Sequence, residues 1–195
     1  MLANVRLFKV TSFSTSTGPV ISGEPIKPYE PASGETEINN ISVELTPDTS
    51  ERTLQADNTA ENDAYVKGFS GTLTVYGIDA DFLSEVLGYE KDSNENTNLV
   101  INNAEKNQFV MFYRGKNEKG AKYNMWLYDV EFKPFNLPAT QDGDTPSTLA
   151  LTFYAKGIIL NGKQTIGSIV YEGKEGYVAE GTEPTSSDLY IPQAA

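Results

Sequence analysis

The side chains that most often carry chemistry are scarce in this chain. It has no histidine and no cysteine. Their absence removes the commonest general base, the commonest transition-metal ligand, thiolate nucleophiles and disulfides. Carboxylates, hydroxyls and lysines remain. Asp92-Ser93-Asn94-Glu95-Asn96 sets oxygen ligands at the opening positions of a calcium-binding loop. The glycine such a loop needs next is replaced by Thr97, and its closing glutamate by Asn103, so a solvated loop is expected. Asp142-Gly143-Asp144 reads as a turn. Paired carboxylates could serve glycoside hydrolysis, but among 27 acidic residues some pair always falls at a suitable spacing. No phosphate-cradling glycine loop is present. A serine nucleophile would lack a histidine base, and no pattern points to a Ser–Lys pair. The 11 tyrosines could form sugar-stacking platforms, but aromatics at strand spacing more often pack a core. The expectation is no enzyme, no cofactor and no metal.

Charge narrows the partners. The net charge is −12, so the chain adds repulsion where binders of nucleic acid or anionic membrane supply Lys and Arg. No apolar run reaches the ~18 residues of a membrane-spanning helix. Met1 to Val10 lacks the apolar stretch of a secretory signal. The hydrophobic content of 38% suits one domain over residues 1–195 with part of its length in loops or arms.

Elements that would position such side chains are mostly strands. Ala64 to Gly88 contains one in miniature. Phe69, Gly71, Leu73 and Val75 alternate with Ser70, Thr72, Thr74 and Tyr76. Asp79 or Asp81 then caps a short helix, Phe82, Leu83, Val86 and Leu87 make its apolar face, and Gly88 ends it. About two turns do not persist alone, so that face must be pinned to a sheet. Further strands are expected at Asn4–Val10, Thr36–Thr46, Glu51–Asn58, Asn107–Arg114, Lys122–Phe132, Ser147–Gly157 and Ile166–Tyr171. In Lys122–Phe132, Trp126, Tyr128, Val130 and Phe132 are expected on one face, with Tyr123, Met125, Leu127, Asp129 and Glu131 on the other. Pro47-Asp48 is expected to turn, and Thr59 to Asp63 to form a polar loop. Thr11 to Glu35, with Pro19, Pro25, Pro28 and Pro31, reads as a long loop or arm. Residues 172–195 read as an extended tail, acidic and rich in glycine. Roughly six to nine strands and one helix give a mainly-β class, a β-sandwich or partly open barrel with one short packed α-helix, extended loops and arms.

The order of these pieces resembles the major tail proteins of long-tailed, non-contractile bacteriophages. The resemblance lies in Leu54-Gln55-Ala56-Asp57-Asn58, the acidic Glu61 to Asp63, Gly71-Thr72-Leu73-Thr74-Val75, Phe82 to Gly88 (FLSEVLG) and Tyr123 to Phe132 (YNMWLYDVEF). It implies a tail-tube type of fold without catalytic residues. It also implies a hexameric ring in which subunit sheets join into a continuous barrel around a channel. Rings would stack into a tube around a tape-measure protein, meet tail-end proteins, and pass genomic DNA without binding it. The place implied is the virion tail, after synthesis in the bacterial host cytoplasm. Each subunit would add −12 to a ring, which favours sliding of DNA over adhesion. On the residues alone, Glu44, Glu51 and Asp57 are the candidates to line such a channel, with Asp129 and Glu131 behind them. A monomeric β-sandwich that binds carbohydrate or acts in adhesion is the alternative, and a hydrolase comes third.

Overall fold

The computed structural model describes residues 5–27, 42–56, 59–76, 80–94, 97–98, 107–133 and 148–192. Strands dominate them: β1 (Val5–Ser14), β2 (Gly18–Ile26), β3 (Ser42–Ala56), β4 (Thr59–Tyr76), β5 (Glu90–Lys91), β6 (Thr97–Asn98), β7 (Phe109–Lys116), β8 (Lys122–Phe132), β9 (Thr148–Lys156), β10 (Ile158–Leu160), β11 (Lys163–Thr165) and β12 (Gly167–Tyr171). The helix α1 is Ala80–Leu87. The mainly-β class with one short helix therefore holds. The main sheet is antiparallel, in the order β2-β1-β7-β8-β9-β4-β3, with β12 also paired to β8. It does not close into a barrel: β2 and β3 are left as edges.

One face of this sheet makes the main core. Cross-strand partners share a face, so the pairings align Leu7, Met111 and Leu127, then Val130 and Ala155, then Leu151 and Leu73. All of these are buried in one cluster with Phe82 and Val86 of α1. An eight-residue helix is too short to cover such a face alone, and residues of β1, β4, β7, β8 and β9 join it in one apolar cluster. Aromatic rings secure the helix. Phe82 meets Phe132 edge-on at 6.0 Å, and Phe132 lies against Phe109 and Phe153. Gly71 makes room for this: a Cβ there would lie 2.3 Å from the Phe153 ring. Gly88 ends the helix at φ 74, where a side chain would be strained, and its N–H donates to the Ser84 carbonyl.

Several local expectations need correction. Pro47-Asp48 does not turn; Ser42 to Ala56 is one strand with a bulge between Asp48 and Thr49. Proline is tolerated there because β3 is an edge strand. Thr59 to Asp63 is the start of β4, not a loop. It pairs with β3 alone, since β9 joins β4 only from Gly68 onward. Much of the supposed arm at Thr11–Glu35 is strand: β1 runs on to Ser14 and β2 returns over Gly18–Ile26. Residues 28–35 of that arm, 36–41 of the predicted strand, Asp57, Asp79, Asp142-Gly143-Asp144 and the far part of the Asp92 loop lie outside the described residues. Asp81 falls within α1 instead of before it. At the near part of the Asp92 loop, the Asp92 carboxylate accepts the Asn94 N–H at 2.8 Å.

The tail is also not a free arm. From Glu172 it folds across the second face of β1, β7 and β8, where Val178, Leu189, Tyr190 and Ile191 cover Phe8, Phe112, Trp126 and Tyr128. Polar latches fix it. Arg6, 1% exposed, forks onto the Glu183 carboxylate, with Nη2–Oε2 at 3.1 Å. Asn124 donates to the Val178 carbonyl, Tyr128 to that of Tyr190, and Arg114 to those of Ala179 and Thr182. Burial pushes the Glu183 carboxyl up, but the hydrogen bond and charge of Arg6 outweigh it and hold it below the usual range.

Two predictions follow from this packing. Phe82→Ala is expected to cost about 3–5 kcal/mol and lower the melting temperature by roughly 10 °C, read by calorimetry. A drop of only a degree or two would mean that α1 is not pinned. Because the Glu183 pKa is depressed in the folded chain, its stabilisation is present above the unfolded value of about 4.3 and fades as pH falls further. Limited proteolysis is expected to cut the tail faster as pH drops through that range, and Glu183→Gln to lose most of the pH effect.

Candidate assembly face

The candidate site is the other face of the β3–β4–β9 half, opposite the main core. Register builds it row by row. Glu44 pairs with Thr72 and Thr72 with Thr152. Thr46 pairs with Ser70, Ser70 with Tyr154, and Tyr154 with Glu131. Asp48 pairs with Gly68, and Gly68 with Lys156. Ser42, Thr74 and Ala150 add a further row. The inward residues of these strands are Val43, Leu45, Leu73, Leu151 and Phe153, so the hydroxyls and charges must point the other way.

A bulge brings β8 into this wall. Met111 pairs with Leu127 but Phe109 pairs with Val130, so β8 holds one extra residue between the two rows. The alternation reverses across it. Met125 and Leu127 face the main core before the bulge; Val130 and Phe132 face it after. The expectation that Trp126, Tyr128, Val130 and Phe132 share one face is therefore wrong. Trp126 and Tyr128 lie under the tail instead. Asp129 and Glu131 are turned to the same side as Tyr154 and Glu44.

The register thus gathers three of the five sequence-selected acids, from two separate stretches. Glu44 is exposed and so is Asp48, which the sequence reading missed. Glu131 is buried and accepts a 2.6 Å ion pair from Lys156. Asp129 is buried, and its Oδ1 accepts from Gln108 Nε2 at 3.1 Å. Lys133 sits 4.0 Å above the Tyr154 ring. Glu51 lies on β3 opposite Ala64, past the bulge and out of this wall, and Asp57 is outside the described residues.

These contacts set the chemistry of the face. The lysine at the wall's corner is already committed to Glu131, and that bond raises its pKa. Burial pushes the Asp129 carboxyl up, with the Lys156 charge and the Gln108 hydrogen bond opposing and Glu131 adding to the rise. What is left is a hydroxyl-rich, weakly acidic surface whose cations are engaged. Among the described residues no group of three or more Asp, Glu, His or Cys could hold a metal.

Asp129 gives a test of this description. A carboxyl whose folded pKa is raised stabilises the fold fully below its unfolded value of about 3.9, and loses that contribution as pH rises through the folded value. Asp129→Asn is therefore expected to raise the melting temperature at pH 7 by a few degrees and to leave it nearly unchanged at pH 4. A large drop at pH 7 would show that the ionised carboxylate is needed there.

No protein-family model matches the chain, and no curated protein matches it.

Proposed function

We propose that the chain is a structural subunit that assembles with copies of itself into rings, and that the rings stack into the tail tube of a long-tailed, non-contractile bacteriophage. One observation carries this reading: a sheet whose edges stay open among the described residues, with one half apolar on both faces and the other half presenting a polar wall. In a ring, open edges of neighbouring subunits satisfy each other. The polar wall of β3, β4 and β9 then faces the bore, with the exposed Glu44 and Asp48 meeting the passing DNA. Such a wall suits transit. Two anionic surfaces repel within about 8 Å at physiological salt, and Lys156 at the wall's corner is held by Glu131. The ordered motifs Leu54–Asn58, Gly71–Val75, Phe82–Gly88 and Tyr123–Phe132 support the same reading.

Partners on this reading are further copies, a tape-measure protein and tail-end proteins. Its place is the virion tail. No helix among the described residues is long and apolar enough to cross a membrane. The alternative, a carbohydrate-binding module, has one feature in its favour. A cavity of about 500 Å³ in the tail is lined by Tyr177, Tyr190, Glu175 and Asp188, the side-chain types that stack on and hydrogen-bond sugars.

Negative-stain electron microscopy of the concentrated protein separates the two. Rings or tubes are expected. Monomers at every concentration, together with glycan binding lost on Tyr177→Ala, would favour the alternative. In virions, Glu44→Lys with Asp48→Lys is expected to leave tubes intact, since one exposed polar residue replaces another, and to slow DNA ejection. Normal ejection would remove this wall from the bore.

A further inference from the structure

We propose that the cavity in the tail binds an organic ammonium ion, either a free alkylamine or the lysine side chain of a partner. This site is independent of the tube reading: either can fail without the other.

The cavity, of about 500 Å³, lies between two passes of the tail, Glu175 to Val178 and Ser187 to Ile191. Both passes are tied to the sheet. The Val178 carbonyl accepts from Asn124 at 3.0 Å. The Tyr190 carbonyl accepts from Tyr128 at 2.8 Å and from Ser168 at 3.3 Å. Asn124 and Tyr128 stand about 13 Å apart along β8, at roughly 3.3 Å per residue, so the ties leave room between the passes. The passes meet at Gly176. It has φ 83, and a Cβ there would lie 2.4 Å from the Tyr190 ring. Glycine thus lets the backbone close against that ring.

Charge selects the occupant. Glu175 and Asp188 are the charged side chains that line the cavity, and both are anionic. Asp188 is held in place. Its Oδ2 accepts the Thr185 N–H at 2.8 Å and the Thr185 hydroxyl at 2.7 Å, and Oδ1 takes no donor among the described residues. Glu175 is exposed and takes none among them either. Two carboxylates facing one small space repel, and a cation between them relieves the repulsion. The Tyr177 and Tyr190 rings offer negative π-faces to the same cation. No amide or cationic side chain among the described residues lines the cavity, and most of the remaining lining is aliphatic. A positive donor on an apolar stem fits this better than a neutral sugar.

The chain's own cations near the tail are placed elsewhere. Lys122 is held by Glu180 at 2.8 Å, with Glu172 at 4.0 Å. Arg114 donates to the Ala179 and Thr182 carbonyls and lies over the Phe112 ring. The charge of Lys116 acts on Glu180. Lys174 precedes Glu175 but is exposed and does not line the cavity.

NMR on the intact chain tests the proposal, with n-butylammonium as the probe and n-butanol as its neutral match. The ammonium is expected to shift the amides of Gly176, Tyr177, Asp188 and Tyr190 saturably, and the alcohol to leave them nearly still. Glu175→Gln keeps the side-chain size and is expected to raise the dissociation constant roughly threefold. Adding Asp188→Asn is expected to bring the rise to at least about tenfold. Glu175→Gln alone keeps the test readable if the Asp188 variant loses its turn. Tighter binding of spermidine than of a lysine tripeptide assigns the site to a free amine, and the reverse order to a protein side chain. Absence of shifts, equal shifts with n-butanol, or binding unchanged by Glu175→Gln would overturn the proposal. Tighter binding of glucose than of the ammonium would also overturn it and favour the carbohydrate-binding alternative. Ring or tube formation is read separately by microscopy.

Discussion

Strand β8 has two edges, and one of them is shared. Along one side it pairs with β7. Along the other, Tyr123 to Leu127 belong to β12 and Val130 to Phe132 belong to β9. The bulge at the changeover lets both halves exist. Without the extra residue, Asp129 and Glu131 would point into the main core, and two buried carboxylates there would be costly unless paired. With it, apolar residues continue facing inward and the acids reach the outer wall. The fork in the sheet follows from the same point. β9 leads away to β4 and β3, and β12 stays with the half beneath the tail.

The two halves bury their faces in different ways. The β1–β7–β8 half is apolar on both sides, as Phe109 to Tyr113, all buried, makes plain. Such a strand needs two covers. One is the main core cluster, to which β4, β9 and α1 contribute. The other is the tail, helped by Ile158 and Leu160. Fully burying a side chain such as Phe112 stabilises by about 1.5–3 kcal/mol, which exceeds the usual worth of one neutral hydrogen bond. Burial thus supplies most of the adhesion of the tail, and the polar latches set its path. Arg6 is the exception. A guanidinium at 1% exposure must stay paired, so Glu183 holds its place more strictly than its own exposure suggests.

Much of this was legible in the sequence, and the misses have definite causes. Alternation in Phe69–Tyr76 and Ser147–Gly157 gave strands that the structure contains, because each has one wet face. The apolar face and terminal glycine of α1 were equally plain. The start of β4 was hidden because Thr59 to Asp63 carries no apolar alternation, and its strand pairing with β3 leaves no local signal. The β8 bulge is invisible to a period-2 reading, which assumes one residue per step. The β10–β11 hairpin was a signal overlooked. Asn161-Gly162 sits at φ 51 and 77, the left-handed pair that a tight hairpin demands, and the dipeptide is a strong marker of one. At the candidate face, individual acids could be picked from alternation, but their union on one wall depends on pairings between strands far apart in sequence. The latching tail looked structureless because its order comes from what it covers.

The Arg6–Glu183 contact joins residues separated by 177 positions. The first strand and the last loop of the chain therefore complete each other. β1 must also wait for β7, and β4 for β9, so little of the sheet can close early. At a synthesis rate of about 5–20 residues per second, a ribosome spends on the order of ten to forty seconds on this chain. For most of that time Phe8 has no cover from the tail, which is made last among the described residues. This half of the sheet therefore closes late: its second cover exists only once Val178, Leu189, Tyr190 and Ile191 have been added.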